Sequence, residues 1–131
     1  MTSYDDLWVV FLNNVEVSNL DLPQNNNEIH DAIHNAVLHY NNVMETAIEC
    51  NHVLEAFSTT LSDNQILILA HFLRLVLLKN KLTLFTLTWQ PFEKEIGVKN
   101  FGTQLKMLES MVAEEKETIS QLIINQQDSF M

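Results

Sequence analysis

Apolar side chains recur every three or four positions along most of this chain, the spacing of helices with one buried face. The clearest stripe predicts a second helix that begins after a cap among Asn25–Asn27 and runs to about Glu49 or further. Asparagine suits the cap because its side-chain oxygen accepts hydrogen bonds from free N–H groups of the first turn. The stripe consists of Ile29, Ile33, Ala36, Val37, Tyr40, Val43, Met44, Ala47 and Ile48.

Two possible capping boxes mark the starts of other helices. Ser3 with Asp6 predicts a short first helix, about Tyr4 to Asn13. Ser62 with Gln65 opens a long helix, Asp63 to Trp89, whose apolar residues run nearly all round. A helix that is apolar on every side is typically central and touched by several neighbours. A last long helix is predicted from about Asn100 to Asn125, with the run Glu114–Glu117 on its solvated side.

The segments between these helices are less regular. Residues Val15 to Asn27 predict an extended connector, and Gln90 to Phe101 a structured loop with Gly97 as its hinge. Residues Asn51 to Thr60 leave two interpretations open: Val53, Leu54 and Phe57 either prolong the second helix or pack a loop.

Composition agrees with a helical fold. The 131 residues include two glycines and two prolines, whereas sheet proteins use both often in their many turns. We therefore predict an all-α protein, a small helical bundle with one long central apolar helix and a long C-terminal helix. One helical domain is expected over residues 1–125, followed by a C-terminal tail over 126–131.

Charge divides the chain into two unlike halves. The first 65 residues hold ten carboxylates and no lysine or arginine, and the first cation is Arg74. The formal charge of −10 therefore belongs almost wholly to the first half. Clustered cations are needed to bind phosphates, so no specific nucleic-acid binding is expected.

Two histidines give the one pattern that resembles catalytic chemistry. His30 and His34 lie four residues apart and share one helix face, as metal-binding histidines do in HExxH enzymes. Asp31, however, is shorter than the required glutamate, and no third ligand is evident. We expect exposed helix histidines, no cofactor and no enzymatic activity. Zinc bound stoichiometrically, and lost when both histidines become alanine, would support the alternative of a metal-dependent enzyme.

Membrane and redox chemistry are also not expected. The apolar stretch Ile66 to Trp89 is interrupted by charged residues and falls short of the roughly 20 apolar residues that cross a bilayer. No secretory signal is recognisable at the start of the sequence. Cys50 has no second cysteine to pair with, which suits a reducing compartment.

Four large apolar residues are candidate partner contacts. Trp89 and Phe92 bracket Pro91, and such aromatic residues either close a core over a helix end or anchor a partner. Phe130 and Met131 stand on a polar tail with no evident local core, which favours docking into a neighbouring chain.

Three segments carry a family resemblance: Leu69 to Asn80, Phe85 to Phe101 and Gln104 to Glu109. With the ending rich in acidic and aromatic residues, they resemble small proteins of tailed phages, the head-to-tail connector (adaptor) class, over residues 28–131. The resemblance implies a helical protein that forms a ring beneath the portal and docks a terminal tail into it. Residues 126–131 would be that tail.

Two function hypotheses follow. The first is a non-enzymatic connector at the virion head–tail interface, present in host cytoplasm during assembly. Its partners would be the portal protein, a tail-side neck protein and further copies of itself, with acidic helices repelling the DNA that passes through the ring. The alternative is a small acidic regulator or inhibitor that occupies a basic protein surface as a nucleic-acid mimic.

Overall fold

A computed structural model describes residues 1–17, 22–89 and 98–128 of the chain. Four helices account for most of them: α1 (Tyr4–Asn14), α2 (Asn26–Met44), α3 (Asp63–Trp89) and α4 (Val98–Asp128). Two very short strands, β1 (Cys50–Asn51) and β2 (Ala56–Phe57), form an antiparallel hairpin between α2 and α3. The predicted all-α fold class is confirmed, with this hairpin as a small addition.

The helix starts follow the capping signals in the sequence. In α1, the Asp6 N–H donates to Ser3 Oγ at 3.1 Å while the Ser3 N–H donates to the Asp6 carboxylate. The same reciprocal bonds join Ser62 and Gln65 at the start of α3. Asn25 caps α2 by accepting from the Glu28 N–H at 2.9 Å. Each cap satisfies N–H groups that would otherwise lack partners.

The end of α2 differs from the prediction, because the helix stops at Met44 and does not reach Glu49. Glu45 takes the left-handed conformation with φ of 55°, which reverses the chain. The Asn41 side chain holds the reversal: its amide donates to the Ile48 carbonyl, and its oxygen accepts from the Ile48 N–H and the Thr46 hydroxyl. The apolar spacing continues to Ile48 because this residue, although it lies in the loop after α2, is also buried in the core.

Replacing Asn41 by alanine should lower the free energy of unfolding by about 2 kcal/mol, because three hydrogen bonds at a part-buried turn are lost together. Urea unfolding measures the change. Asn42→Ala is the matched control, since Asn42 is the next residue of α2 and is exposed. Equal stability of the two variants would show that the Asn41 bonds do not hold the turn.

The segment with two open interpretations, Asn51 to Thr60, forms the turn and second strand of the hairpin. Its tip is fixed by Asn51, whose side-chain oxygen accepts from the N–H groups of Val53 and Leu54, both at 3.0 Å. Residues before α1 pair with β2: the Phe57 N–H donates to the Thr2 carbonyl at 2.8 Å. The hairpin is therefore tied to the start of α1.

Helix α3 is the centre of the molecule and packs against the other three helices. Its first half is buried on nearly every side, as its apolar composition predicts. The largest fully buried side chains of the core come from α1, α2, β2 and α3. They are Tyr40, Phe11, Phe57, Leu7, Ile33, Ile68, Leu69, Leu73 and Leu78.

The second half of α3 is much more exposed, and it pairs with the beginning of α4. The rings of Phe85 and Phe101 stack across this pair at 5.3 Å. Helix α4 begins two residues before the predicted Asn100 and runs three residues past the predicted Asn125. The expected hinge at Gly97 lies outside the described residues. Two glutamines follow Asn125, and neither of them breaks a helix, which accounts for the longer helix.

Candidate functional site

A cluster of three histidines forms where the hairpin meets α2. His30 and His34 lie on α2 as predicted, and the hairpin adds His52. His34 is exposed as expected, whereas the His30 side chain is 17% exposed because it packs against the hairpin. The rings of His30 and His52 are stacked, with centroids 4.7 Å apart and planes 5° from parallel. His34 meets His52 edge to face at 6.1 Å. The sequence did not reveal that His52 lies beside His30 and His34, because only the folded hairpin brings it to them.

Tyr4 of α1 fixes His52 from the other side. The Tyr4 hydroxyl and His52 Nδ1 are hydrogen-bonded at 2.7 Å, and the Tyr4 N–H donates to the Glu55 carbonyl at 2.8 Å. The Glu55 carboxylate in turn contacts His30 Nε2 at 3.3 Å. One residue of α1 thus links the hairpin to α2 through the histidines.

Two ionisable groups beside this cluster, the Tyr4 hydroxyl and the Cys50 thiol, are held in their neutral forms. Burial raises the pKa of the Tyr4 hydroxyl above its usual range, and the neighbouring Cys50 adds to the rise. Burial also raises the pKa of the Cys50 thiol, opposite to the change that activates a cysteine nucleophile. Within residues 1–17, 22–89 and 98–128, no three His, Cys, Asp or Glu side chains are placed to hold a metal ion.

His52 gives the cluster a defined response to acid. Partial burial, then the proximity of His30 and His34, lower its pKa below the ordinary 6.5, while Asp31 acts in the opposite direction. The His52 ring therefore binds a proton less readily in the folded state than in the unfolded chain. The stability contributed by neutral His52 is present above pH 6.5 and is lost as pH falls below it.

We expect the free energy of unfolding to fall between pH 7.5 and pH 5, and His52→Gln to make that fall smaller. Glutamine carries no titrating group but can still hydrogen-bond to Tyr4. Urea unfolding at several pH values measures the free energy of unfolding of the wild type and of His52→Gln. His39→Gln is the control, because His39 is an exposed residue of α2 outside the cluster. An unchanged pH dependence in His52→Gln would contradict this role.

A second charged cluster joins α3 to α4 and was not predicted. Glu115 is 3% exposed, and its two carboxylate oxygens take different partners. Oε1 lies 2.6 Å from His71 Nδ1, and Oε2 accepts from Arg74 Nη1 at 2.5 Å. Arg74 Nε also donates to the Glu16 carbonyl at 2.9 Å, just after α1. We expected the run Glu114–Glu117 to be solvated, and for buried Glu115 that expectation is wrong.

The acidic first half remains exposed in the folded molecule. All nine of its described carboxylates are exposed side chains. The nearest cation in sequence, Arg74, is used by Glu115 of the second half. Folding therefore leaves these carboxylates on the protein surface, where two of them, Glu28 and Asp31, line a pocket together with Lys81 of α3.

Two groups of exposed apolar side chains accompany these charges. At the hairpin tip, Val53 is 93% and Leu54 62% exposed, and Leu54 lines a shallow pocket with Met1 and Glu49. In the second half of α3, Leu84 is 62% and Leu87 72% exposed. Val53 and Leu54 could be recognised in the sequence as an apolar pair, but their exposure results from the turn of the hairpin.

The predicted partner contacts cannot be placed beside these groups. Trp89 is the last residue of α3, and nothing is described of its side chain. Phe92, Phe130 and Met131 lie outside the described residues. Their partner-binding role stays a prediction. Among the helices of the described part, none combines the length and the hydropathy of a membrane span.

Two comparisons with known proteins agree on the origin of this chain. The family model described as YomZ prophage protein matches residues 1–128. A relative from Bacillus subtilis (strain 168), named SPbeta prophage-derived uncharacterized protein YomZ, is 48% identical over 125 residues and covers 95% of both chains. No solved structure matches the chain. The expected phage origin is confirmed, and the chain belongs to the YomZ family of prophage proteins.

Proposed function

We propose that this chain is a structural protein of the phage neck, a head-to-tail connector that forms a ring between the portal protein and a tail-side neck protein. The observation that carries the proposal is the exposure of all nine described carboxylates of the first half in a helical prophage protein. A wall lined by such groups repels DNA phosphates and lets the duplex pass without adhering.

The second half supplies what such a ring needs to hold together. Its helices are the longest in the described structure, and they expose large apolar side chains, Leu84 and Leu87 on α3 and Met107 and Ile124 on α4. Copies of one chain assemble into a closed ring when two different surfaces of each copy fit each other. Residues Trp89, Phe92, Phe130 and Met131 remain the proposed contacts to the neighbouring neck proteins.

The proposal is tested by deleting the gene from the inducible prophage that carries it. We expect filled heads without tails in electron micrographs, and the chain itself in purified wild-type virions by mass spectrometry. Virions that form normally without the chain would overturn the proposal. The isolated protein should also give no gel shift with duplex DNA at physiological salt, and tight binding would defeat the channel role.

The same exposed carboxylates suit the alternative, a nucleic-acid mimic. A mimic would be absent from virions and would instead form a complex with a DNA-binding protein. That complex would weaken steeply as salt is added, because it depends on opposite charges. Recovery of such a complex from induced cells, with no chain in the particles, would select the alternative.

A further inference from the structure

A groove lies between α2 and α3 and has a volume of about 430 Å³, within the range of small-molecule sites in proteins. On α2 it is lined by Glu28, Asp31, Ala32 and Asn35. On α3 its lining residues also follow helical spacing, from Leu77 to Leu84. Each helix therefore presents one continuous face to this space, here called the α2–α3 groove.

The floor of the α2–α3 groove is apolar. Ala32 is 4% exposed and Leu77 6% exposed, so both lie below the rim that the exposed lining residues form. Leu22 and Pro23, which precede α2, are half-buried and line one side. Hydrocarbon that covers such a floor leaves water together with it, whereas a hydrated ion gains nothing there. The floor therefore favours an organic ligand.

The rim of the groove is polar and carries more negative than positive charge. Glu28 and Asp31 are exposed carboxylates one turn apart on α2. Among the described lining residues the cation is Lys81, which already has a partner within the chain. Two carboxylates and one ammonium leave the rim with a formal charge of −1. The exposed amides of Asn35 and Asn80 add hydrogen-bond acceptors from opposite walls. The rim therefore favours a positively charged ligand.

We propose that the α2–α3 groove binds a small organic ammonium ion, a short hydrocarbon body that carries a protonated amine. The body covers Ala32 and Leu77, and the ammonium group donates hydrogen bonds to the carboxylates of Glu28 and Asp31. An inorganic cation would leave the apolar floor in contact with water, and an uncharged hydrocarbon would leave the rim without a counter-charge. The inference goes beyond the proposed function, and its test does not depend on the gene deletion.

Hexylamine, which is protonated at pH 7.5, is the probe for this site. Titration into isotope-labelled protein should shift the side-chain amide NMR signals of Asn35 and Asn80, with a dissociation constant on the order of 1 mM for so small a ligand. Hexanol lacks the charge and hexanoate reverses it, so both should bind at least about tenfold more weakly. Butylamine should bind more weakly by roughly fourfold for each methylene that the floor no longer buries.

A double variant tests the rim. Glu28→Gln with Asp31→Asn keeps the size of both side chains and removes both charges, so the affinity for hexylamine should fall at least about tenfold. The matched control is Asp5→Asn with Glu49→Gln, which removes the same charge from two exposed acids outside the groove and should leave the affinity unchanged. Circular dichroism and urea unfolding show whether each variant retains the fold.

Several results would overturn the inference. The Asn35 and Asn80 signals would stay fixed at hexylamine concentrations well above the expected dissociation constant, or hexanol and hexanoate would move them equally well. Unchanged affinity in the groove double variant would show that the carboxylates do not hold the ligand. Equal affinity for butylamine and hexylamine, or equal shifts with magnesium chloride, would show that the apolar floor contributes nothing and that the rim merely attracts cations.

Discussion

Replacing Glu115 by alanine is expected to lower the free energy of unfolding by about 3–5 kcal/mol, the largest effect among the polar residues considered. The carboxylate is 3% exposed and contacts both His71 and Arg74. Its removal leaves a guanidinium, 12% exposed, without its counter-charge at the junction of α3 and α4. Most of this loss of stability comes from the desolvation of that unpaired charge, and less from the lost attraction between Glu115 and Arg74.

Urea unfolding at pH 7 measures this loss, and Glu117→Ala is the matched control. Glu117 lies two residues further along α4 and is exposed, so its replacement should change stability by less than about 0.5 kcal/mol. Replacing Arg74 and Glu115 together by methionine should cost less than Glu115→Ala alone, since no buried charge is then unpaired. A loss below about 1 kcal/mol in Glu115→Ala would contradict a buried charged junction.

Leu73→Ala should lower the free energy of unfolding by about 2–5 kcal/mol. Leu73 is fully buried in α3, in the core that α1, α2 and α4 close around that helix. Alanine removes three carbon atoms and leaves a cavity that the surrounding helices can only partly fill. Thermal and urea unfolding both report the loss.

The matched control is Leu87→Ala, the same substitution in the same helix at a side chain that is 72% exposed. It should leave stability within about 0.5 kcal/mol of the wild type. Equal destabilisation by the two substitutions would mean that the second half of α3 belongs to the core.

Sequence reasoning succeeded where one local signal determined the structure. Ser3 with Asp6 and Ser62 with Gln65 are reciprocal caps within four residues, and both helices begin where these pairs place them. Helix α3 also reaches Trp89, the last described residue before residue 98, over the predicted length. Periodicity and caps depend on neighbours in the chain, so they can be recognised without tertiary structure.

The sequence was less informative where distant residues determine the result. The reversal at Glu45 depends on the Asn41 side chain, which a helical spacing does not distinguish from any exposed asparagine. Glu115 was assigned to a solvated run because its partners, His71 and Arg74, stand more than forty residues away. His52 likewise reaches His30 only through the hairpin. Each of these contacts requires the packed helices.

The central claim is that an acidic, helical prophage protein assembles as a ring on the portal, with its carboxylates facing the DNA path. Negative-stain imaging of the purified chain mixed with the portal ring of the same prophage tests it most directly. The account predicts added ring-shaped density coaxial with the portal and an open centre. Portal rings that look the same with and without the chain would contradict it.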